Sequence, residues 1–214
     1  DYLYEDNRYS ESRQDIRVDR AYDAPIGALS FNWNSVNVFV RPGPGQPQLY
    51  ADPENDYITV VNRAKMGSST NLTVERTTLS GKDQITVSGT ISAKDTEQVV
   101  YKSVTQPEFW AGANFKAFLK QQGITYNGDI KKKKTPSNAA LAVVFKSKSL
   151  REIIADMNKF SNNYVAEMLT MALAQERPAR LSQGVEKIQT WLSKMGWSSK
   201  NYVFANPAGF SNQN

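Results

Sequence analysis

Cysteine and histidine are both missing from this chain of 214 residues. Without cysteine there is no disulfide, no thiolate nucleophile and no thiolate metal ligand. Without histidine the commonest neutral-pH base and the commonest metal ligand are gone as well. Any chemistry must therefore run on other groups, a serine served by a lysine held neutral being one solution. No stretch of 18 apolar residues is present, so no membrane-spanning helix is predicted. The opening Asp1-Tyr2-Leu3-Tyr4-Glu5-Asp6 also lacks the basic and apolar regions of a signal peptide. A mature secreted chain would begin in the same way, so this lack does not place the protein in the cytoplasm. A large excess of one charge is missing too: the net charge is +5, and part of it is the run Lys131-Lys132-Lys133-Lys134. Between Gly128 and Pro136 that run reads as a solvated loop. It has no interleaved aromatics and no nucleic-acid-binding motif, so no nucleic-acid partner is expected.

What is present suits a soluble globular protein, with 40% apolar, 22% charged and 11% aromatic residues, enough to fill one large or two modest domains. Residues 1 to about 24 are polar and tyrosine-rich without a clean period. Phe31, Trp33, Ser35, Asn37 and Phe39 alternate with Asn32, Asn34, Val36, Val38 and Val40, which predicts an extended segment ending at Arg41-Pro42-Gly43. From Gln48 to Tyr101 a period of two predicts strands over Tyr57 to Asn62, Asn71 to Thr78, Gln84 to Ser92 and Gln98 to Ser103, as a small antiparallel module. Pro107 then opens a helix that stops at Gln122-Gly123. Ile124 to Tyr126, Leu141 to Phe145 and Val203 to Ala205 read as short strands. Ser182 reads as the cap of a last helix through Val185, Ile188, Leu192 and Met195, and Trp191 and Trp197 read as core or groove wall rather than ligand platforms.

The most informative stretch is Lys148 to Ala174. Ser149 followed by Glu152 is a capping-box pattern, and Leu150, Ile153, Ile154 and Met157 continue it as an amphipathic helix ending near Asn158 or Lys159. Val165, Met168, Leu169, Ala172 and Leu173 mark a second helix capped by Ser161 or Asn162. At the junction, Ser161 and Asn163 stand two residues apart, where a hydroxyl able to relay a proton and an amide able to donate and accept could face one side. Taken alone, the triplet reads equally well as ordinary helix caps.

The run Lys148-Ser149-Leu150-Arg151-Glu152-Ile153-Ile154-Ala155-Asp156-Met157-Asn158-Lys159-Phe160-Ser161-Asn162-Asn163 resembles the segment that carries the second active-site motif, Ser-x-Asn, of penicillin-binding-protein-4-like serine D-Ala-D-Ala carboxypeptidases and endopeptidases (peptidase S13 type). Two further stretches are similar to that family: Tyr22 to Gly43, and Asn206-Pro207-Ala208-Gly209-Phe210-Ser211-Asn212-Gln213-Asn214. The last matches its Gly-Ser-Gly-Leu-Ser segment, with Pro207-Ala208 and Phe210 departing from the usual residues. Glu5 to Tyr9 looks like the family's segment leading out of a strand.

The resemblance implies an α+β fold, part of a penicilloyl-serine transferase (beta-lactamase/transpeptidase-like) domain with an inserted β-rich accessory domain. Residues 1–104 would be the insert and its connections, and residues 105–214 the partial transpeptidase-like domain. It implies hydrolysis of peptidoglycan stem peptides ending in D-Ala-D-Ala through an acyl-serine, acylation by beta-lactam antibiotics, no cofactor or metal, and a periplasmic or other extracytoplasmic location with possible membrane association. Ser161 and Asn163 would be catalytic, and Asn162, Ser211 and Asn214 would contact substrate. The family's other motifs, Ser-x-x-Lys and Lys-Thr-Gly, are absent: Ser147-Lys148 is adjacent rather than spaced, and Lys134-Thr135-Pro136 carries proline where glycine is required. The chain thus reads as the middle slice of a longer protein whose other fragments complete it. The alternative is a non-catalytic peptidoglycan-binding homologue of the same fold.

Overall fold

The computed structural model describes residues 2–5 and 18–210. The described residues form two compact units. One is made of Asp19–Pro25 and Leu29–Lys131; the other holds residues 2–5, Val18, Ile26–Ala28 and residues 132–210. The predicted boundary near residue 104 therefore does not coincide with the division between units.

The first unit is built on two three-stranded sheets. In one, β1 (Ser35–Arg41) lies between β2 (Gln48–Asp52) and β6 (Gln98–Ser103), antiparallel to both. In the other, β5 (Lys82–Ser92) is central, with β4 (Asn71–Leu79) antiparallel on one side. On its other side β3 (Ile58–Gly67) runs parallel to it. The parallel pair corrects the expected purely antiparallel module: β4 itself serves as the crossover, so β3 and β5 point the same way. Ser80 and Gly81 both have positive φ, 50° and 78°, the two-residue turn that matches strand twist and closes the β4–β5 hairpin.

The predicted strand over 31–40 starts later than expected. Asn32, Trp33 and Asn34 have φ of 48°, 51° and 55° and form a left-handed turn. Side chains hold it: Asn34 Nδ2 donates to Pro25 O at 2.7 Å, and Ser35 Oγ donates to Asn32 O at 2.9 Å. Trp33 consequently leaves the strand face and is exposed.

Helix α1 (Pro107–Gln121) has Pro107 in its first turn, as predicted, and ends before Gly123 at φ 74°. It belongs to this unit because Trp110 and Ala113 enter the same core as Val36, Val38, Val40, Ile85, Val87 and Ile91. Trp110 is fully buried, and its indole N–H donates to Phe31 O at 3.0 Å. A buried carboxylate is satisfied in the same unit: Asp83 accepts from Thr105 N at 2.8 Å, Thr105 Oγ1 at 2.7 Å and Thr78 Oγ1 at 2.9 Å.

The second unit carries α2 (Leu150–Phe160), α3 (Asn163–Ala172) and α4 (Leu181–Lys194). Met171, Ala174, Ala179, Leu181 and Ile26 form its core, with Tyr4, Tyr164 and Met168 against it. Tyr4 bridges to Ala179, with Glu5 N–H donating to Ala179 O at 3.0 Å and Ala179 N–H to Leu3 O at 2.8 Å. The cap of α4 is Arg180 rather than Ser182; its N–H donates to Gln183 Oε1 at 2.9 Å.

The segments 124–126, 141–145 and 203–205, predicted as strands, form none. A strand needs a ladder partner, and among the described residues none lies beside them. Leu141, Val143, Val144 and Phe145 are in consequence 68 to 93% exposed. Trp191 and Trp197, expected in core or groove wall, are likewise exposed in this chain. No helix among the described residues is long and apolar enough to cross a membrane.

Candidate active site at the junction of α2 and α3

The capping box opens α2 as its sequence dictates. Ser149 Oγ accepts from Glu152 N–H at 3.3 Å, and Ser149 N–H donates to Glu152 Oε2 at 2.9 Å. The hydrogen bond from the Ser149 hydroxyl, then that from its N–H, hold the Glu152 carboxyl below its ordinary range. No residue of α2 is buried within the chain, so its pattern of Leu150, Ile153, Ile154 and Met157 has only part of its apolar stripe covered.

The helix ends where Ser161 turns left-handed, at φ 51° and ψ 50°. The N–H groups of Ser161 and Asn162 both return to Met157 O. Asn162 then caps α3: its Oδ1 accepts from Val165 N–H at 3.0 Å. Ser161 and Asn162 are thus the whole connection between the two helices. Asn163 is the first residue of α3, at the end where the helix dipole is positive. Ser161 is exposed, while Asn162 and Asn163 are half-buried. The amide of Asn162 is engaged in capping.

Lys148 is near the site in sequence but is no candidate base. Its Nζ donates to Asp156 Oδ2 at 2.8 Å, and that bond, with the charge of Asp156, raises its pKa and keeps it an ammonium.

Along α3 the buried residues are Glu167, Thr170 and Met171, with Tyr164 and Met168 packed half-buried against the same core; of the predicted series Met168 faces that core, Val165 and Leu169 are half-buried, and Ala172 and Leu173 are exposed. The difference is one of rotation: α4 packs against the Thr170 side, where a Cβ on Gly184 would fall 2.0 Å from Thr170 O. Glu167 was invisible to the sequence reading because a carboxylate carries no apolar signal. It is 6% exposed and accepts a 3.0 Å hydrogen bond from Nδ2 of Asn206, itself 1% exposed. Asn206 opens the turn whose next residues are Pro207 to Phe210. Ser211 and Asn214, the remaining candidate substrate contacts, lie outside the described residues, as do Asp6 to Tyr9.

The α+β architecture, with its Ser-x-Asn triplet at a helix junction, matches the penicilloyl-serine transferase-like fold. The D-Ala-D-Ala carboxypeptidase 3 (S13) family is matched over residues 1–214, and the chain belongs to that family. It is 28% identical over 214 residues to a D-alanyl-D-alanine carboxypeptidase of Actinomadura sp., covering 91% of this chain and 39% of that protein. It is 29% identical over 115 residues to the D-alanyl-D-alanine carboxypeptidase DacB of Haemophilus influenzae, covering 52% of this chain and 24% of DacB. The fold is that of penicillin binding protein 4 (dacB) from Haemophilus influenzae: the TM-score is 0.79 at 19% identity, over all of this chain and 49% of that one. A second structure of that protein, complexed with a novel beta-lactam, gives a TM-score of 0.71 at 20% identity, over 90% of this chain and 46% of that one. The chain therefore spans less than half the length of each of these relatives.

Proposed function

We propose that this chain is the middle portion of a serine-type D-Ala-D-Ala carboxypeptidase/endopeptidase that hydrolyses peptidoglycan stem peptides and is acylated by penicillin. The observation that carries the reading is the Ser161-Asn162-Asn163 triplet at a left-handed helix junction, in a chain that belongs to the S13 family along its whole length. The longer protein would supply the Ser-x-x-Lys and Lys-Thr-Gly motifs. Its serine oxygen attacks the carbonyl carbon of the D-Ala-D-Ala peptide bond, the C–N bond breaks, and water later opens the acyl-serine. Ser161 passes the proton to the departing amine, and Asn163 hydrogen-bonds the motif lysine and the substrate's carbonyl. Asn162, Ser211 and Asn214 border the substrate.

The β-rich unit, with α1 in it, is read as the family's accessory insert. The bare apolar side chains at 141–145 and on α2 are read as surface that the rest of the longer protein covers, since runs of that kind seldom stay in water. The location is periplasmic or otherwise extracytoplasmic.

The deciding experiment is labelling of the whole gene product with a fluorescent penicillin, followed by intact-mass and peptide mapping. Label is expected on a serine outside residues 1–214, with acylation lowered about a hundredfold or more by Ser161→Ala. Unchanged acylation in that variant would sink the role given to Ser161. No label on a folded whole protein would favour a non-catalytic peptidoglycan-binding homologue instead.

A further inference from the structure

We infer that Glu167 is a positioning residue for acylation: through Asn206 it fixes the turn at 206–210 on the face of α3 that begins with Asn163. The inference rests on the roles proposed above for Ser161 and Asn163. A carboxylate is retained at a buried position only where hydrogen bonds replace its water. At Glu167 the Asn206 amide supplies one such bond, at 3.0 Å.

That contact has a directional consequence. An amide has one acceptor oxygen and one donor nitrogen, and the carboxylate accepts only the nitrogen. With Nδ2 facing Glu167, Asn206 Oδ1 is turned to its own loop, where it accepts from the backbone N–H of Ala208 at 2.8 Å and of Phe210 at 3.2 Å. Gly209 N–H donates to Asn206 O at 3.2 Å. The amides of Ala208, Gly209 and Phe210 thus converge on one residue, and the Glu167 side chain ties that residue to α3. Gln189 of α4 fastens the approach to the turn, its Nε2 donating to Phe204 O at 3.0 Å.

Glu167 follows Asn163 by four residues, so the two stand one turn apart on the same face of α3. The turn is therefore tied to the face that presents the candidate amide, and Ser211 follows it directly in the chain. An apolar residue at 167 would fill the space without desolvating a charge. What a carboxylate adds is the orientation of Asn206, and through it the course of the loop.

The test uses the whole gene product, with hydrogen exchange at the Ala208 and Phe210 amides and the rate of acylation by a fluorescent penicillin as separate readouts. Glu167→Ala is expected to speed exchange at both amides and to slow acylation about tenfold or more, since small misplacements around a reacting centre are costly. Glu167→Gln, which keeps an acceptor for Asn206, is expected to stay within about threefold of the parent in both. Asn206→Asp sets two carboxylates together and should behave like Glu167→Ala. The double variant E167Q/N206D exchanges donor and acceptor and should recover both readouts. Should Glu167→Ala lose protection throughout α3 and α4, it has unfolded, and the double variant decides: recovery upholds the role, and a folded protein without recovery overturns it. Unchanged exchange at Ala208 and Phe210 in a folded Glu167→Ala overturns the bridge. Faster exchange with parental acylation overturns its role in the reaction and leaves the proposed function standing. Absence of acylation in the parent, indistinguishable from Ser161→Ala, removes the proposed function and this role together.

Discussion

Ser161 holds a backbone conformation that L-residues adopt at a cost, at the position to which the proposed function assigns a hydroxyl. A left-handed residue other than glycine costs roughly 1–2 kcal/mol. Glycine would meet the geometry freely, so under the proposed function a serine there sets chemistry above local stability. Ser161→Gly is accordingly expected to leave the junction intact and to raise stability by about 0.5–1 kcal/mol, allowing for the greater freedom of the unfolded glycine. It should lower penicillin acylation as far as Ser161→Ala does. Urea unfolding set beside the labelling rate checks this, and a glycine variant that is both less stable and equally active would contradict it. At this scale the sequence carried the triplet because hydroxyl and amide types are visible in one line of text. Glu167 and Asn206 were not legible as a pair, because 39 residues separate them and only the fold makes them neighbours.

The helices show which local signals survive folding. Capping box, N-terminal proline and left-handed glycine act within a few residues, so α1 and α2 begin and end close to where their sequences predict. The face that α3 buries depends instead on its neighbour. Gly184 allows α4 to lie against Thr170, and any side chain at 184 would meet the Thr170 carbonyl at 2.0 Å and its methyl at 2.8 Å. Gly184→Ala must therefore move the two helices apart, at a cost of about 3 kcal/mol. The expected result is a lowered unfolding midpoint with reduced acylation, since the face of α3 behind Asn163 shifts with it. A variant with the parental midpoint would show that the contact yields without loss. Strands fared differently from helices: β6 was legible to the residue, yet 141–145 has strand composition and no partner among the described residues, because a ladder needs a second segment that composition cannot provide.

Across the molecule, the response to acid should centre on an ion pair in the β-rich unit between a buried lysine and a half-buried aspartate. Lys102, 2% exposed, donates to Asp19 Oδ2 at 2.7 Å, and Arg76 N–H donates to the same oxygen at 2.9 Å. Burial alone would raise the Asp19 carboxyl, but the bonds from Lys102 and Arg76 and their charges outweigh it and bring it below its ordinary value. A depressed carboxyl stabilises the fold above the unfolded pKa of about 3.9, and that contribution is lost as pH falls through the lower folded value. Asp19→Ala should remove this acid-sensitive component and, by stranding a buried ammonium, destabilise the unit by about 3 kcal/mol at neutral pH. D19A/K102M should regain most of it. Urea titrations at neutral and acid pH, followed by Trp110 fluorescence, measure both effects, and a single variant as stable as the parent would refute the account.

The sequence by itself determined the family, the three helices with strong end signals and the Ser161-Asn162-Asn163 triplet. Each rests on residues within a few positions of one another, where propensity, capping and turn geometry act without help from the rest of the chain. Only the tertiary structure decided that β3 runs parallel to β5, that Asn32 to Asn34 turn left-handed ahead of β1, that α3 buries Glu167, and that Asp19 reaches Lys102. Those outcomes are set by which distant segments exclude water together, and a buried charge or a strand direction has no signature until its partner is in place.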